Sequence, residues 1–452
     1  MGEALTPVDA AWLRMDDPTN LMMVTGLLVL DKPLDVRRFR SVIERRLLTF
    51  TRFRRKVVEA PFGFGQPRWE DDRHFDLDAH LHRVALPPPG GQSELQTLVG
   101  DLMSTPLDAS KPLWQLHVVE GYEGGSAVIS RLHHCIADGI ALIQLLLSLT
   151  DPSPRGGSRK RAAPPPDGRG GGLLEGAFSL LDPVKALGLA QVGAASALTL
   201  GRIIALPPDP ATSLKGPLGV TKRAAWSKVI PLDDVKAAGR AAGATVNDVL
   251  IAAATGALRR YLEGRGEDVD GLEVRAAVPV NLRPIERGLE LGNSFGLVFL
   301  QLPIGISEPR RRLAELKVRM DRIKASTEAI VAFGVLTAIG VVPKQVHPLA
   351  IDFFGSKASL VLTNVPGPRE PLYLAGSKIV NNMFWVPQSG RMGLGISILS
   401  YAGGVMVGVG ADAGLVPDPD AIVRGFEAEL ERLLKPLAKG PSRARARSRR
   451  RA

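Results

Sequence analysis

The chain is poor in cysteine, in histidine and in aromatic side chains. Its 452 residues include one cysteine, Cys135, seven histidines and only 5% aromatic residues. A single cysteine cannot form a disulfide within the chain, which is typical of proteins from a reducing compartment. The N-terminal stretch MGEALTPVDAAWLRMDD lacks the basic start and apolar run of a secretory signal. We therefore expect a cytoplasmic protein.

One run of 16 residues, 186–201, carries no charge and is rich in alanine and glycine. It is shorter than the ~20 strongly apolar residues that a membrane-spanning helix needs. Two interpretations remain open for it. The run is either a crossover helix that packs on the fold or a segment that lies on a membrane surface without crossing it.

The net charge of +11 is concentrated at the C-terminal end. Residues 438–452 hold seven basic residues and no acid, so removing those seven charges from +11 leaves only +4. No aromatic residues alternate with these arginines, as a stacking site for bases would require. Nucleic acid is therefore not an expected partner. The tail is either a disordered, solvated end or a segment drawn to anionic lipid, where each Arg contributes on the order of 1 kcal/mol.

Strand-like and helix-like patterns alternate in two comparable halves around a segment rich in proline, glycine and arginine, residues 152–172. At 45% hydrophobic and 23% charged residues, the chain can bury sizeable cores. We predict an α/β fold with two domains. The first covers 1–150, a linker and apolar crossover helix cover 151–212, the second domain covers 213–437, and a disordered basic tail covers 438–452.

Several local patterns predict individual elements. LWQLHVVEG and SAVISRLHH read as two paired strands joined by YEGGS. Asp35 and Asp418 each precede an apolar helical pattern and are expected to cap it. A second hairpin is expected to turn at Gly403 and Gly404.

Two of the seven histidines, His133 and His134, are adjacent in SRLHHCIADGIALIQ, where a strand pattern gives way to a helical one. Consecutive side chains on a strand point to opposite faces, so only one of the pair can face a given cleft. Asp138 can return towards the strand end through a tight turn that Gly139 permits. A histidine base must be held in one tautomer, and a nearby carboxylate can do this. The spacing predicts a base at His134 supported by Asp138.

This segment allows three other interpretations. A buried histidine is often only a satisfied core residue. A metal site would need a third ligand beside His134 and Asp138, and the remaining histidines show no ligand spacing, so no metal is expected. Cys135 is not expected to be a nucleophile, because on a strand the ring of His134 points away from it.

The segment HHCIADG fits the HHxxxDG pattern of the acyl-CoA-dependent acyltransferase superfamily, and other segments make the resemblance narrower. PVDAAWLRMDDPTN, WEDDRHFDLDAHLHRVALPPPG, PLDASKPLWQLHVVEG, TVNDVLIAAATGALRRYL, VPVNLR and TNVPGPREPLYLAG follow one another as in the bacterial wax ester synthase/diacylglycerol acyltransferases. The chain resembles that family from about residue 5 to 435.

The resemblance implies two chloramphenicol-acetyltransferase-like domains, each a mixed β-sheet flanked by helices, with the active site at their interface. It implies that His134 is the general base and Asp138 a structural acid, with His133 and Gly139 completing the motif. Asn247, from the ND motif, would help to stabilise the developing oxyanion. No cofactor is implied, because acyl-CoA enters as a co-substrate.

The residues around Asn247 agree with that implication. Thr245 and Asp248 form a capping-box pattern at the start of an apolar helix. Asn247 then lies in the first turn, where free N–H groups and the positive end of the helix dipole favour an anion. An ordinary residue of a helix start is the alternative.

The expected function is O-acyl transfer from acyl-CoA to diacylglycerol or to a long-chain fatty alcohol. The expected partners are those lipids and, through peripheral contact, the inner face of the membrane or a lipid droplet. Two rivals remain open at this point. One is a condensation-type domain that takes its acyl group from a carrier protein, and the other is a relative that binds lipid without turnover.

Overall fold

The computed structural model describes residues 2–60, 65–156, 198–282, 291–341, 347–388 and 392–435. The strands form two large sheets and one small one. In chain order they are β1 (Glu3–Ala4), β2 (Met23–Leu30), β3 (Arg55–Val58), β4 (Arg68–Asp71), β5 (Leu81–Ala85), β6 (Trp114–Glu120), β7 (Ser126–His133), β8 (Lys222–Trp226), β9 (Ile230–Pro231), β10 (Val274–Asn281), β11 (Phe295–Leu302), β12 (Leu360–Pro366), β13 (Tyr373–Leu374), β14 (Ser377–Trp385), β15 (Leu394–Tyr401) and β16 (Gly404–Asp412).

Helices flank both large sheets. They are α1 (Pro7–Arg14), α2 (Val36–Val42), α3 (Gln92–Ser104), α4 (Gly139–Leu149), α5 (Leu232–Ala242), α6 (Val246–Gly264), α7 (Pro309–Lys324), α8 (Glu328–Val341), α9 (His347–Gly355) and α10 (Pro419–Leu434). Residues 198–205 are also helical, and α2 continues into a π-helical turn over Ile43–Leu47. Side-chain caps fix several starts, among them Asp35, Thr245 and Asp418.

The first sheet has the strand order β13-β14-β2-β7-β6-β5. Only its outer pair, β5 with β6, is parallel. Strand β14 comes from the second half of the sequence and pairs with β2 from Thr25 opposite Trp385 to Leu30 opposite Ile379. The second half therefore completes the sheet of the first half.

The second sheet has the order β11-β10-β12-β15-β16-β8, with β9 also paired to β16. Strand β12 is parallel to both of its neighbours, and the other pairs are antiparallel. Its main core lies under α6 and α10, which cross closely where Gly425 meets Ala257. A methyl group at Gly425 would lie 3.2 Å from Ala257 Cα. Small side chains at this crossing let the two backbones approach.

The two sheets also pack on each other through one apolar cluster. Strands β2, β7 and β14 of the first sheet and strands β8, β15 and β16 of the second contribute side chains to it. Trp226 and Trp385 lie at its centre, with ring centroids 5.5 Å apart. The interface between the halves is therefore an extended hydrophobic contact, and the polar site described below lies beside it.

The fold class and several elements predicted from the sequence are confirmed. The α/β class holds, the two predicted hairpins are β6–β7 and β15–β16, and the predicted caps start α2, α6 and α10. The linker 157–172, most of the apolar run 186–201 and the tail 438–452 lie outside the described residues. The domain limits at 150 and 213 stay predictions.

Within the described ranges no individual helix combines the length and hydropathy needed to cross a bilayer, although two sharply bent helix pairs reach the threshold together.

Candidate active site

The HHCIADG segment forms the turn between β7 and α4. Asp138 is the N-cap of α4, and its Oδ1 accepts the Ala141 N–H at 2.9 Å. Gly139 is the first helical residue, and a methyl group added there would lie 4.0 Å from Cγ2 of Val365, the penultimate residue of β12. The turn therefore lies between the two halves, at the carboxyl end of β7 and of β12.

His134 is enclosed by aromatic rings. Its ring stacks on Trp12 of α1 with centroids 4.2 Å apart and lies 5.6 Å from the ring of Phe295, the first residue of β11. Burial lowers the pKa of His134 to about 4, although the charge of Asp138 acts in the opposite direction. The imidazole is therefore neutral at pH 7 and can accept a proton.

His133 points elsewhere and supports the turn. Its Nδ1 accepts the Cys135 N–H at 3.2 Å, and its Nε2 lies 3.7 Å from Asp16 Oδ1. A ring whose Nδ1 accepts a hydrogen bond can place a proton on Nε2, which faces Asp16. The two adjacent histidines thus have different surroundings, as strand geometry predicts.

A buried carboxylate supports the backbone of the turn through a bridging side chain. Asp9, on α1, is fully buried, and its Oδ1 accepts both the backbone N–H and the side-chain Nδ2 of Asn293, at 3.2 and 2.8 Å. The same Nδ2 donates to the backbone oxygen of His134 at 2.8 Å. Asn293 therefore links a carboxylate of the first half to the backbone of the histidine.

Arg52 completes this arrangement. Its Nη1 donates to the carbonyl of Ile136 at 2.9 Å and to that of Cys135 at 3.4 Å, and it lies 3.2 Å from Asp9 Oδ2. We refer to Asp9, Arg52 and Asn293 as the Asp9 network. Arg52 and Asn293 thus donate to three consecutive backbone carbonyl groups of the turn, and both also contact the buried carboxylate of Asp9.

Asp138 binds backbone groups of the turn and of the second half. Besides capping α4, it accepts the Ser294 N–H at Oδ2, 3.0 Å away, and its own N–H donates to the Gly292 carbonyl at 3.1 Å. Asp138 therefore fixes where the turn meets the segment before β11. The charge of Asp138 also acts on the His134 ring, where it raises the pKa that burial lowers.

Asn247 contacts β12, the strand whose Val365 lies next to Gly139 of the turn. It follows the Thr245–Asp248 capping box in the first turn of α6. Its Oδ1 accepts from Nδ2 of Asn364, on β12, at 2.8 Å. Because the amide oxygen is occupied, the amide Nδ2 of Asn247 is the group left to donate, and no partner for it is found in the described part of the chain.

Two apolar cavities lie close to the residues around His134, although His134 itself lines neither. The main cavity has an empty volume of about 1060 Å³, and Val24, Leu132 and Gly139, all close to His134 in sequence or by strand pairing, line it. The second cavity has an empty volume of about 590 Å³, and Met15 and Leu336 line it. Those two residues belong to the same apolar cluster as Trp12 and Phe295, which hold the His134 ring.

The sequence pattern identified the turn but not most of the residues that hold it in place. Asp9 and Trp12 lie in PVDAAWLRMDDPTN and Asn364 in TNVPGPREP, segments that signalled family likeness without suggesting a role for these residues. Arg52 and Asn293 carried no signal. Among the described residues, no group of three or more His, Cys, Asp or Glu side chains is placed to hold a metal ion.

Comparisons with known proteins agree on one family. The profile of the wax ester synthase/diacylglycerol acyltransferase catalytic domain matches residues 5–250, and that of the C-terminal domain of the same family matches residues 291–434. A protein of Mycobacterium tuberculosis named a probable diacylglycerol O-acyltransferase is 32% identical over 446 residues, which is 95% of either chain. A second relative, named a putative diacylglycerol O-acyltransferase of Mycobacterium bovis, has the same identity and coverage.

Solved structures share the fold. The wax ester synthase/diacylglycerol acyltransferase of Marinobacter aquaeolei VT8 superposes with a TM-score of 0.71 at 24% identity and covers 95% of this chain and 98% of its own. A condensation domain of the calcium-dependent antibiotic synthetase superposes with a TM-score of 0.64 at 16% identity, with 96% of both chains covered. At these identities the likeness is one of fold alone.

The depressed pKa of His134 predicts a pH dependence of stability. The unfolded chain binds a proton at this residue below its ordinary value of 6.5, whereas the folded chain does so only below about 4. His134 should therefore destabilise the fold as the pH falls through that window, by on the order of 2 kcal/mol between pH 7 and pH 5. Denaturant unfolding of the wild type and of His134→Gln at both pH values isolates this contribution. Equal pH dependence of the two proteins would contradict it.

Proposed function

The chain belongs to the wax ester synthase/diacylglycerol acyltransferase family, and from this premise we propose that it transfers a fatty acyl group from acyl-CoA to the hydroxyl of diacylglycerol or of a long-chain alcohol. The observation that carries the proposal is a neutral histidine, His134, whose turn borders one apolar cavity and whose enclosing rings share an apolar cluster with the lining of another. Two long apolar substrates that must meet at one base require this arrangement.

His134 acts as the general base. Its Nδ1 is buried and has no hydrogen-bond partner in the described part of the chain, and we assign Nε2 as the nitrogen that reaches the substrate. A ring that accepts a proton at Nε2 carries its own hydrogen on Nδ1. Nε2 removes the hydroxyl proton as the oxygen attacks the thioester carbonyl, and it returns the proton to the CoA sulfur when the tetrahedral intermediate collapses.

Asn247 stabilises the oxyanion of that intermediate. Its oxygen is held by Asn364, which directs the amide N–H groups away from β12. The first turn of α6 adds free backbone N–H groups and the positive end of the helix dipole. A preorganised donor of this kind typically contributes about 10²–10³-fold to turnover.

The main cavity accommodates the acyl chain. Its lining is almost entirely aliphatic and aromatic and comes from β2, β7 and β14 and from the inner side of α4. Each methylene buried there contributes about 0.8 kcal/mol, so the cavity favours long acyl groups. The second cavity, next to Trp12 and Phe295, accommodates the apolar part of the acceptor.

Replacing each histidine in turn tests the mechanism. His134→Ala should lower turnover at least about 10²-fold because the general base is lost. His133→Ala should cost less, about 10-fold, because only the support of the turn is lost. The measurement is ester formation from palmitoyl-CoA with a panel from butanol to hexadecanol and diacylglycerol, with thermal melts alongside. The wild type should prefer the long acceptors.

Three results would contradict that mechanism. Near-normal turnover by a folded His134→Ala enzyme would show that His134 is not the general base. A more damaging His133→Ala would reverse the assignment of the two histidines. A wild-type preference for butanol over the lipid acceptors would exclude the proposed acceptor class.

Changing the amide pair tests the oxyanion role. Asn247→Ala should lower kcat about 10²-fold with little change in KM for acyl-CoA, since the contact forms in the transition state. Asn364→Ala should move kcat in the same direction by a smaller factor, because it frees the amide of Asn247 to rotate. A rise in KM at constant kcat would instead indicate a substrate-binding contact for Asn247.

Narrowing the main cavity tests the location of the acyl chain. Leu142 of α4 lines the cavity, whereas Leu147, half-buried on the same helix, does not. Leu142→Trp should lower the ratio of kcat/KM for palmitoyl-CoA to that for octanoyl-CoA at least about 10-fold, as expected when two or more methylenes lose their contacts. Leu147→Trp, the matched control, should leave the ratio unchanged. Equal behaviour of the two variants would place the acyl chain elsewhere.

A further inference from the structure

Part of the surface around the second cavity exposes apolar side chains. Residues 198–205, α8 and α9 contribute to it, and we call this surface the apolar face. Its four most exposed large side chains are Leu198 at 68%, Ile330 and Val341 at 59% each, and Leu349 at 73%. Leu198 is also part of the uncharged run 186–201, whose role the sequence left open.

Helix α8 is the centre of this face and has no polar outer side. Ile330, Gly334, Ala338 and Val341 follow one another at helical spacing, and all four are exposed. The hydroxyl of Thr337, which is half-buried, donates to the backbone oxygen of Phe333 within the same helix. A surface helix of a soluble protein ordinarily turns charged or polar residues outward, which α8 does not.

The three helices enclose the second cavity. Ile203, Ala332, Leu336 and Ile351 line it from the outside, and Met15 lines it from the inside. Leu336 belongs to the cluster that contains Trp12, whose ring stacks on His134. The lining of this cavity and the ring that stacks on His134 therefore belong to one apolar cluster.

We propose that the apolar face docks on a neutral lipid surface and that the acceptor lipid passes from there through the second cavity to His134. The exposed residues of the face include one positive and one negative charge, Arg202 and Asp352, so insertion of apolar side chains, not attraction of charge, accounts for binding. A second copy of the chain on this face would cover the cavity and block the acceptor. The inference rests on the proposed function.

The test is flotation with vesicles of pure phosphatidylcholine and with phosphatidylcholine-coated triacylglycerol droplets, at physiological salt. The face variant is the triple substitution Ile330→Glu, Val341→Glu and Leu349→Glu. The matched control introduces the same three charges at Val220, Val229 and Val380, which are 52%, 48% and 42% exposed outside the face. The full-length chain is used throughout, and thermal melts establish that each variant is folded.

The wild type and the control should float with the lipid, whereas the partition coefficient of the face variant should fall at least about 10-fold. Turnover with palmitoyl-CoA and detergent-dispersed hexadecanol should be the same for all three proteins, because these substrates need no lipid surface. Absence of that activity in the wild type would overturn the proposed function, independently of docking.

Four results would overturn the docking inference. They are failure of the wild type to float, flotation of the face variant like the wild type, an equal loss in the control, and conversion of a wild-type dimer to a monomer by the face variant. The last result would identify the face as an interface between copies of the chain.

Discussion

The buried carboxylate of Asp9 is the constraint on which the site depends. A fully buried charge is tolerated only when other groups compensate it, and here the compensation comes from Arg52 and from both N–H donors of Asn293. Those same groups hold the carbonyls of His134, Cys135 and Ile136. Burial of the Asp9 carboxylate therefore also fixes the backbone of the HHCIADG turn.

The position of the turn has an electrostatic consequence. Enclosure between Trp12 and Phe295 lowers the pKa of His134, so the ring stays unprotonated, and it excludes water from the reacting groups. The charge of Asp138 opposes that effect without removing it. A base with a low pKa is a weak proton acceptor in water. In the proposed mechanism this base gains from fixed geometry and from the donors proposed at Asn247.

Local sequence patterns predicted the elements that depend only on residues close together in the chain. Caps, hairpins and the HHxxxDG turn follow from residues a few positions apart, and the structure contains them. Strand β14 could not be predicted to join β2, because its partner lies about 350 residues earlier and either sheet would satisfy its hydrophobic pattern. Asn293 was missed for the same reason, since its partner Asp9 is 284 positions away. The roles of His134, Asp138 and Asn247 stay predictions that the geometry supports.

The central claim is that the Asp9 network holds His134 as the catalytic base, and a double-mutant cycle between Asn293 and His134 tests it most directly. Asn293→Ala alone should lower kcat at least about 10-fold with KM nearly unchanged, because the turn loses its link to Asp9. In the His134→Ala background the same substitution should cost almost nothing, because there is no base left to position. Independent losses that multiply in the double variant, with all proteins folded, would contradict the account.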